Sequence, residues 1–582
     1  MGPAALLVGV AVAAVAAGGA AVAAGVRLLR ARGRGEVPIP AVSEDPTAVA
    51  GPVDAGPVAV VAPEAAAAVE AGVAAAPVEA GPQAPIRRRR PARPALRTMT
   101  DIRHFFRTTE TPVYFVSATA FNLLGMDKWV RNFTYLNYYD SFDGTHPNVF
   151  VPRERPFRAF ESIEQICSYL LAHKEVRDHI ATHRPTGAKS AGKACFLMFD
   201  DETEQLAREA SLDVAFPSAA LRHRLDSKVV TTQLGNEAGV PSVPNVLGRA
   251  TSYKELLALA DGAALGHDLV IQTPYGDSGQ TTFFVRKSAD WRRHEERMAG
   301  QELKVMKRIR PLETTIEGVV TRHGTIVGPL LTELVGFRDL TPYGGGWCGD
   351  EVCDEALSPE VRAMARQRAH AMGERLRREG YRGYFDLDFL LDLDSGDLWL
   401  GELNPRVTGA SSMTNVSAVA YGDLPLFLFH LLEFMDVDYE LDVDELNDRW
   451  SSPDYLDTWA QFVMKETGKG TELLTRAPAT GIWRLEPDGG IHLHRNATDW
   501  HGITDEQDAF YLRIAGPGGY RYPGADLGIL VSRGRFMTDD WELNDRARTW
   551  IAGLKSQFAG LPLSAAEKAR APRPDPFGFK IL

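Results

Sequence analysis

The sequence predicts a mixed α/β protein, in which an open α/β block is followed by a two-lobed α/β block and by a β-rich C-terminal part. Apolar strand segments alternate with amphipathic helices across residues 98–220, an arrangement typical of open α/β sheets. Two strand pairs, one Gly-rich and one acidic, follow within residues 221–440. Short strands separated by turn residues then recur across residues 441–582.

The N-terminal region differs in composition from everything after it. Residues 4–26 form a run of 23 residues without a charge, long enough to cross a bilayer, and arginines follow from Arg27 onward. Residues 1–36 are therefore interpreted as a membrane anchor that leaves the folded body in the cytoplasm; the alternative is a disordered, Ala-rich start. Residues 37–97 are rich in Ala and Pro and are expected to form a disordered linker. The arginines Arg87–Arg90 near its end could touch anionic lipid headgroups.

Composition and spacing exclude several classes of protein. The net charge is −12 and no basic stripe carries interleaved aromatic residues, so no nucleic-acid partner is expected. The chain lacks a GxGxxG fingerprint and a Walker A loop, so neither a dinucleotide site nor a P-loop is predicted. No pair of its four cysteines has CxxC spacing, so neither a zinc site nor a disulfide framework is expected.

An acidic hairpin is predicted within residues 383–404. Its first strand carries Asp388, and its second strand carries Glu402 and Asn404, which the period of two places on one face. In a hairpin Asp388 can lie beside them. Three oxygen ligands on one sheet face are typical of a Mg²⁺ site that leaves room for phosphate oxygens and water. The alternative is a surface hairpin with incidental acids.

An arginine and a further aspartate lie close to the predicted metal ligands in the sequence. Arg406 follows it closely and adds a planar cation of the kind that binds phosphate or carboxylate. Asp386 is interpreted as a structural residue that points to the opposite face of its strand from Asp388.

A flexible flap is predicted upstream of the hairpin. A helix expected over residues 222–238 carries Lys228 near its start. A strand over residues 268–273 leads into a loop rich in Gly, Ser and Thr over residues 274–282. Backbone N–H groups and hydroxyls in such a loop can cradle phosphates.

Another strand is predicted over residues 303–309, followed by Glu313. A strand that enters a linker beside a nucleotide can offer backbone groups to an adenine edge, and a carboxylate downstream can accept bonds from ribose hydroxyls.

In their order along the chain, these features resemble those of ATP-grasp ligases, and in particular the carboxylate–amine ligases such as the D-alanine–D-alanine ligases, over roughly residues 220–430. The resemblance implies a Rossmann-like pre-ATP-grasp domain (98–220), a two-lobed ATP-grasp domain (221–440) and a β-rich C-terminal domain (441–582). It implies ATP and one or two Mg²⁺ ions as cofactors. The metal ligands would be Asp388, Glu402 and Asn404, with Arg406 as the catalytic residue. The implied nucleotide-binding residues are Lys228, Gln272, Thr273, Gly276, Ser278, Gly279, Lys307, Ile309 and Glu313.

The chain departs from the family pattern at two positions. The family usually has Lys-Pro at the end of the strand before the flap, whereas this chain has Thr273-Pro274, preceded by Gln272. One phosphate-binding ammonium is therefore missing there, although Gln272 or Thr273 could donate a neutral hydrogen bond. The family also often has Glu where Met306 stands, so adenine contacts would depend on backbone groups and on Lys307.

The function implied by the resemblance is an ATP-dependent ligase. It would activate a small carboxylic or amino acid as an acylphosphate and join it to an amine, releasing ADP. Two alternatives stay open: a biotin carboxylase-like carboxylating enzyme, and a non-catalytic, nucleotide-binding scaffold tethered to a membrane. The sequence does not identify the carboxylate and amine substrates, because specificity in such folds lies in loops whose binding preferences do not follow from residue pattern.

Overall fold

The computed structural model describes residues 95–155, 160–276, 281–420, 423–452, 457–568 and residue 571. All of them belong to one compact unit that spans Arg93–Leu582. The predicted membrane segment 4–26, and the linker up to residue 94 with its four consecutive arginines, lie outside the described residues. Within the described part, no helix is both long enough and apolar enough to cross a membrane.

The first sheet is parallel and has five strands in the order β3-β2-β1-β4-β5. These strands are β1 Val113–Ser117, β2 Phe133–Asn137, β3 Val149–Phe150, β4 Gly192–Phe196 and β5 Leu212–Val214. The helices of this block are α1 Met99–Thr108, α2 Ile163–Ala172, α3 Lys174–Thr182 and α4 Asp201–Glu209. Every residue of β1 is buried, as expected for a central parallel strand. The strand order is that of a Rossmann-like half, so the predicted open α/β block is confirmed.

The prediction of one helix over residues 222–238 is wrong in one respect, because the chain forms two helices there. Helix α5 is Ala219–Leu225, and helix α6 is Lys228–Ala238. Asp226 and Ser227 separate them, and Ser227 has the extended dihedral angles φ −70° and ψ 122°. Both are residues that favour helix ends over helix interiors. The break makes the predicted phosphate-binding lysine the first residue of α6.

The second sheet is antiparallel and has four strands in the order β6-β9-β7-β8. Its strands are β6 Asn245–Arg249, β7 Leu269–Gln272, β8 Thr282–Val285 and β9 Glu302–Lys307, and its helices are α7 Tyr253–Gly262 and α8 Ser288–Met298. Leu303 and Val305 of β9 lie in a buried core that includes Trp291 of α8. Because strand residues alternate between faces, Lys304 lies on the face opposite this core.

The third sheet is antiparallel and has ten strands. They are β10 Pro311–Thr321, β11 Gly324–Val335, β12 Trp347–Val352, β13 Gly383–Asp392, β14 Leu398–Asn404, β15 Trp459–Lys465, β17 Gly481–Leu485, β18 Ile491–Arg495, β19 Asp508–Arg513 and β21 Asp526–Arg533. Their order is β14-β13-β10-β11-β12-β15-β21-β19-β17-β18. A small sheet of three strands contains β16 Glu472–Arg476, β20 Tyr520–Arg521 and β22 Ala559–Pro562. The predicted mixed α/β class with a β-rich C-terminal part is therefore confirmed.

The helices around the third sheet are α9 Pro359–Arg378, α10 Ser411–Ala420, α11 Leu426–Phe434, α12 Val443–Ser451, α13 Asp545–Ser556 and α14 Ala565–Lys568. Apolar residues of α9 and of β13 share one buried core, which supports the acidic hairpin from behind. The boundary predicted at residue 440 falls between β14 and β15, two strands of the same sheet. The exact domain limits stay a prediction.

A buried histidine supports the start of β13. Helix α11 packs against β13, and its His430 is fully buried. The backbone N–H of Tyr384 donates a hydrogen bond to Nδ1 of His430 over 3.0 Å. A Cβ at Gly383, where φ is +106°, would lie 2.5 Å from that Nδ1, so the close approach requires glycine. Burial lowers the pKa of His430 to about 3, which leaves the ring neutral in the folded protein at neutral pH.

We expect His430 to make the fold sensitive to mild acid. Its pKa in the unfolded chain is about 6.5, so below that pH the unfolded chain binds a proton that the folded chain does not bind. The loss of stability begins near pH 6.5, grows as the pH falls toward the folded pKa of about 3, and amounts to about 2 kcal/mol at pH 5. Denaturant unfolding of wild type and His430→Asn at several pH values measures it. Asn keeps an acceptor but cannot titrate, so equal pH slopes in the two proteins would contradict the assignment.

Candidate active site

The hairpin of β13 and β14 presents its polar residues on one face. Asp386 pairs with Asn404 across the two strands, and Asp388 pairs with Glu402. A bulge at the step from Asp388 to Phe389 shifts the register beyond this point. The amide Nδ2 of Asn404 donates to Oδ2 of Asp386 over 3.2 Å and to Oδ2 of Asp388 over 3.3 Å. The three predicted metal ligands therefore lie at neighbouring positions of one sheet face.

The interpretation of Asp386 as a residue on the opposite face is wrong. Residues two apart in a strand lie on the same face, and the amide of Asn404 contacts Asp386 and Asp388 together. Asp386 is buried and accepts a hydrogen bond from the Thr315 hydroxyl. The polar group on this face is therefore larger than the sequence suggested, with three carboxylates and one carboxamide.

The carboxylates on this face repel one another. Burial, followed by the negative charge of Glu317, raises the pKa of Asp386 well above its ordinary value. Burial also raises the pKa of Asp388, and the nearby charges of Asp386 and Glu402 add to the effect. Carboxylates held together in this way are stabilised by a cation, and hard oxygen donors suit Mg²⁺. The donor chemistry fits a Mg²⁺ ion, although within the described part no three His, Cys, Asp or Glu side chains already converge as a metal site.

Arg406 is held against the hairpin by the loop after β14. Its Nη2 donates to Oδ1 of Asn404 over 2.9 Å, and its Nη1 donates to the carbonyl of Val407 over 3.3 Å. The predicted catalytic cation therefore contacts one of the predicted metal ligands directly. Its positive charge also opposes the rise in the pKa of Asp388.

A buried glutamate that is not among the predicted site residues anchors that loop. Glu317 of β10 accepts hydrogen bonds from Tyr384 Oη over 2.6 Å, Ser411 Oγ over 2.6 Å and Thr408 Oγ1 over 3.1 Å. Burial raises its pKa to about 7 against the opposing effect of these donors. A carboxylate with three hydroxyl partners fixes the loop from Arg406 to α10 on the sheet. Residues Thr314–Thr321 of β10 are all buried, so strand alternation does not single out Glu317, and its loop partners lie about ninety residues later in the chain.

Lys228 joins three separate parts of the chain. Its Nζ donates to Oε1 of Glu402 over 2.6 Å and to the carbonyl of Gly276, in the stem of the flap, over 3.0 Å. Its backbone N–H donates to the carbonyl of Pro274 over 2.9 Å. The side chain of Lys228 is 3% exposed and that of Glu402 is 27% exposed. The predicted phosphate-binding lysine thus lies directly at the predicted metal site.

The other predicted nucleotide-binding residues make no described side-chain contact with the acidic hairpin. Gln272 ends β7 and donates from Nε2 to Thr282 Oγ1 over 3.2 Å, and Thr273 follows it in a buried position. Ser278 and Gly279 lie outside the described residues.

Lys307, Ile309 and Glu313 lie where the second sheet connects to the third. Lys307 ends β9 and is exposed, Ile309 lies in the connection, and Glu313 lies on β10. Burial raises the pKa of Glu313. No hydrogen bond or ion pair within the described part joins these three side chains to the hairpin, so their contact with a nucleotide stays a prediction.

A second lysine near the site was missed in the sequence. Lys304 of β9 is fully buried, and its Nζ donates to the carbonyl of Gly401, next to Glu402, over 3.3 Å. The signal in the sequence is a lysine between two apolar residues, Leu303 and Val305, of a predicted strand. The prediction for this strand concerns only its backbone groups, and the acceptors of Lys304 lie far away in the chain.

Comparison with known proteins finds similarity in solved structures alone. No protein-family model matches the chain. No curated protein matches it either. The biotin carboxylase domain of 2-oxoglutarate carboxylase from Hydrogenobacter thermophilus, solved with MgADP, ADP and bicarbonate, is 12% identical with a TM-score of 0.47, and the match covers 72% of this chain and 86% of that one.

Two further structures are similar. The N5-carboxyaminoimidazole synthase from Aspergillus clavatus, in complex with ADP and 5-aminoimidazole ribonucleotide, is 12% identical with a TM-score of 0.46, covering 73% of this chain and 94% of that one. Pyruvate carboxylase from Rhizobium etli is 14% identical with a TM-score of 0.48, covering 77% of this chain and 37% of that one. At such identities none of these proteins defines the chemistry of this site.

We expect Asn404→Asp to make the fold depend on Mg²⁺. The change replaces two donated hydrogen bonds by repulsion from Asp386 and Asp388, at a cost of about 1–3 kcal/mol without a metal. Thermal unfolding with and without millimolar Mg²⁺ should show a lower melting temperature without the ion and a large recovery with it. The control Asn404→Ala loses these two donated bonds and also the acceptor for Arg406, without adding a charge, so it should recover less. Equal recovery in both variants would contradict a metal site on this face.

Proposed function

We propose that this protein is an ATP-dependent ligase that activates a small carboxylic or amino acid as an acylphosphate and joins it to an amine, releasing ADP. The observation that carries the proposal is the bond between Lys228 and Glu402, because it brings a phosphate-binding cation to a carboxylate of the hairpin. Arg406 supplies a second cation at the other end of the same face. Alternating cations and carboxylates suit a polyphosphate held together with its metal ions.

The chemistry asked of these residues is mainly positioning and neutralisation of charge. Asp388, Glu402 and Asn404 would hold Mg²⁺, which when bound offsets negative charge on the phosphate oxygens. For Glu402 this requires the ammonium of Lys228 to move from the carboxylate to a phosphate oxygen. That exchange replaces one charge-assisted bond by another, so it costs little.

Arg406 would orient the substrate carboxylate or the transferred phosphoryl group. Its guanidinium presents a planar fork, and the bond to Asn404 fixes one arm of that fork. The loop that carries Arg406 is anchored through Thr408 and Ser411 to the buried Glu317. A cation supported in this way is pre-organised, as transition-state stabilisation by charge requires.

The flap and the second sheet would bind the rest of the nucleotide. Gly276 has a φ of +142° and accepts a bond from Lys228, so the stem of the flap lies beside the hairpin. Gln272, Thr273, Ser278 and Gly279 would approach the phosphates. Lys307, Ile309 and Glu313 would approach the adenine and the ribose.

We also propose that residues 4–26 attach this body to a membrane from its cytoplasmic side. The support is the length and apolar composition of the segment and the arginines after it. The full chain should remain in the membrane fraction after carbonate extraction, and a variant that starts at residue 95 should be released. Release of both proteins would refute the attachment without bearing on the ligase.

We expect Glu402→Gln to lower ATP turnover by at least about 100-fold while the fold is retained. Glutamine still accepts a bond from Lys228 but is a poor metal ligand. Release of ADP and phosphate is measured with pools of amino acids, carboxylic acids and amines, and melting curves report on the fold. The exposed Glu355 gives the matched control, Glu355→Gln, which should turn over ATP as wild type does.

Other outcomes of the same screen distinguish the alternatives. Turnover that requires bicarbonate and biotin would identify a carboxylating enzyme in place of the ligase. Binding of ATP without phosphate release from any pool would refute the ligase and favour a nucleotide-binding scaffold. Unchanged turnover in Glu402→Gln would refute the metal assignment.

A further inference from the structure

Lys304 is a buried ammonium on the site-facing side of the second sheet. Its neighbours in β9, Leu303 and Val305, lie in the core beneath α7 and α8, so Lys304 lies on the other face. Its residue exposure is 0%. In the pairing of β7 with β9, Lys304 is directly opposite Gln272. It therefore lies one strand across from the end of β7, just before Thr273.

The contacts of Lys304 are weak for a charged group. Its Nζ donates to Ser242 Oγ and to the carbonyl of Gly401, each over 3.3 Å. Both acceptors are neutral, and within the described part no carboxylate lies within 4.0 Å of this ammonium. Burying a cation without a direct counter-ion is costly. The fold alone would be served as well by an apolar side chain at this position.

Two charged side chains act on the ammonium of Lys304 from nearby. Glu402 attracts its ammonium and Lys228 repels it, so two ammonium groups lie near one carboxylate. Burial lowers the pKa of Lys304 to about 8. Glu402 is already bonded to Lys228, so a further anion beside the stem of the flap would give Lys304 an opposite charge of its own.

We propose that Lys304 is a second phosphate-binding cation of the nucleotide site, placed on β9 and acting where Thr273 provides no charge. The inference rests on the proposed function, since it assigns a residue within that nucleotide site. A phosphate oxygen would give Lys304 the charged acceptor that Ser242 and Gly401 do not provide. Lys228 and Lys304 would then approach the polyphosphate from a helix start and from a strand.

A structural role for Lys304 makes a different prediction. A lysine that only supports the carbonyl of Gly401 would affect every ligand of the site alike and would contribute to stability. A cation that binds phosphate affects only ligands that carry phosphate. Adenosine and ADP share the base and the sugar but differ in charge, so they separate the two roles.

The experiment compares wild type with Lys304→Met and Lys304→Gln in the full chain. Met keeps the length of the side chain, and Gln keeps a donor for Gly401 while removing the charge. Lys254→Met is the control, because it removes one charge from the exposed face of α7 in the same part of the chain. Dissociation constants for ADP with Mg²⁺ and for adenosine are measured by calorimetry, together with melting curves.

Both Lys304 variants should bind ADP about 10- to 100-fold more weakly than wild type, as expected for one lost charge-assisted bond. Adenosine should bind within about twofold of wild type, and the melting temperature should not fall. Lys254→Met should match wild type for both ligands. Equal loss of ADP and adenosine, or no loss of ADP in the folded variant Lys304→Gln, would overturn the assignment.

The design separates this inference from the proposed function. Wild type that binds ADP no more tightly than adenosine would refute the nucleotide site and with it both proposals. Wild type that prefers ADP, with the same preference retained in the Lys304 variants, would refute the role of Lys304 alone.

Discussion

The bond between Lys228 and Glu402 is the interaction on which the site depends. It spans 2.6 Å between residues that lie 174 positions apart, and the same ammonium also bonds the carbonyl of Gly276. One charge therefore fixes the start of α6, the acidic hairpin and the stem of the flap relative to one another. Because Lys228 is almost wholly buried, water screens the pair far less than it screens a surface ion pair. Removal of either side chain would leave a buried or half-buried charge without its hydrogen-bond partner.

The buried carboxylates of the hairpin lower the stability of the folded protein, and the same carboxylates can bind a cation. Burial and mutual repulsion raise the pKa values of Asp386 and Asp388, so their ionised forms are unfavourable in the folded protein alone. The buried ammonium of Lys304 is unfavourable for the same reason, the burial of a charge, with the opposite sign. Acids and ammonium groups placed in this way are stabilised by the opposite charges of a metal ion and a phosphate chain. Local departures from the rules of core packing are expected at functional sites for this reason.

The elements were largely predictable from local pattern, whereas several roles were not. Strand β17 and the acidic hairpin follow short runs of β-prone residues bounded by turn residues, and these signals act over a few neighbours. The sequence predicts one helix where the structure has two around Ser227, because it shows no strong stop such as Pro or Gly there. The face of Asp386 was misjudged, although the period of two in a strand determines it. Glu317 and Lys304 were missed because their partners are distant in the chain.

By itself, the sequence determined the mixed α/β class, the acidic hairpin with Glu402 and Asn404 on one face and Asp388 on its other strand, and the absence of a lysine at Thr273. These follow from residue type, strand period and spacing, all of which are local. Only the tertiary structure decided that Lys228 meets Glu402, that Glu317 anchors the loop of Arg406, and that Lys304 lies one strand across from Gln272. The physical reason is that a buried charge is defined by what packs against it, and those partners come from strands and helices far away in the chain.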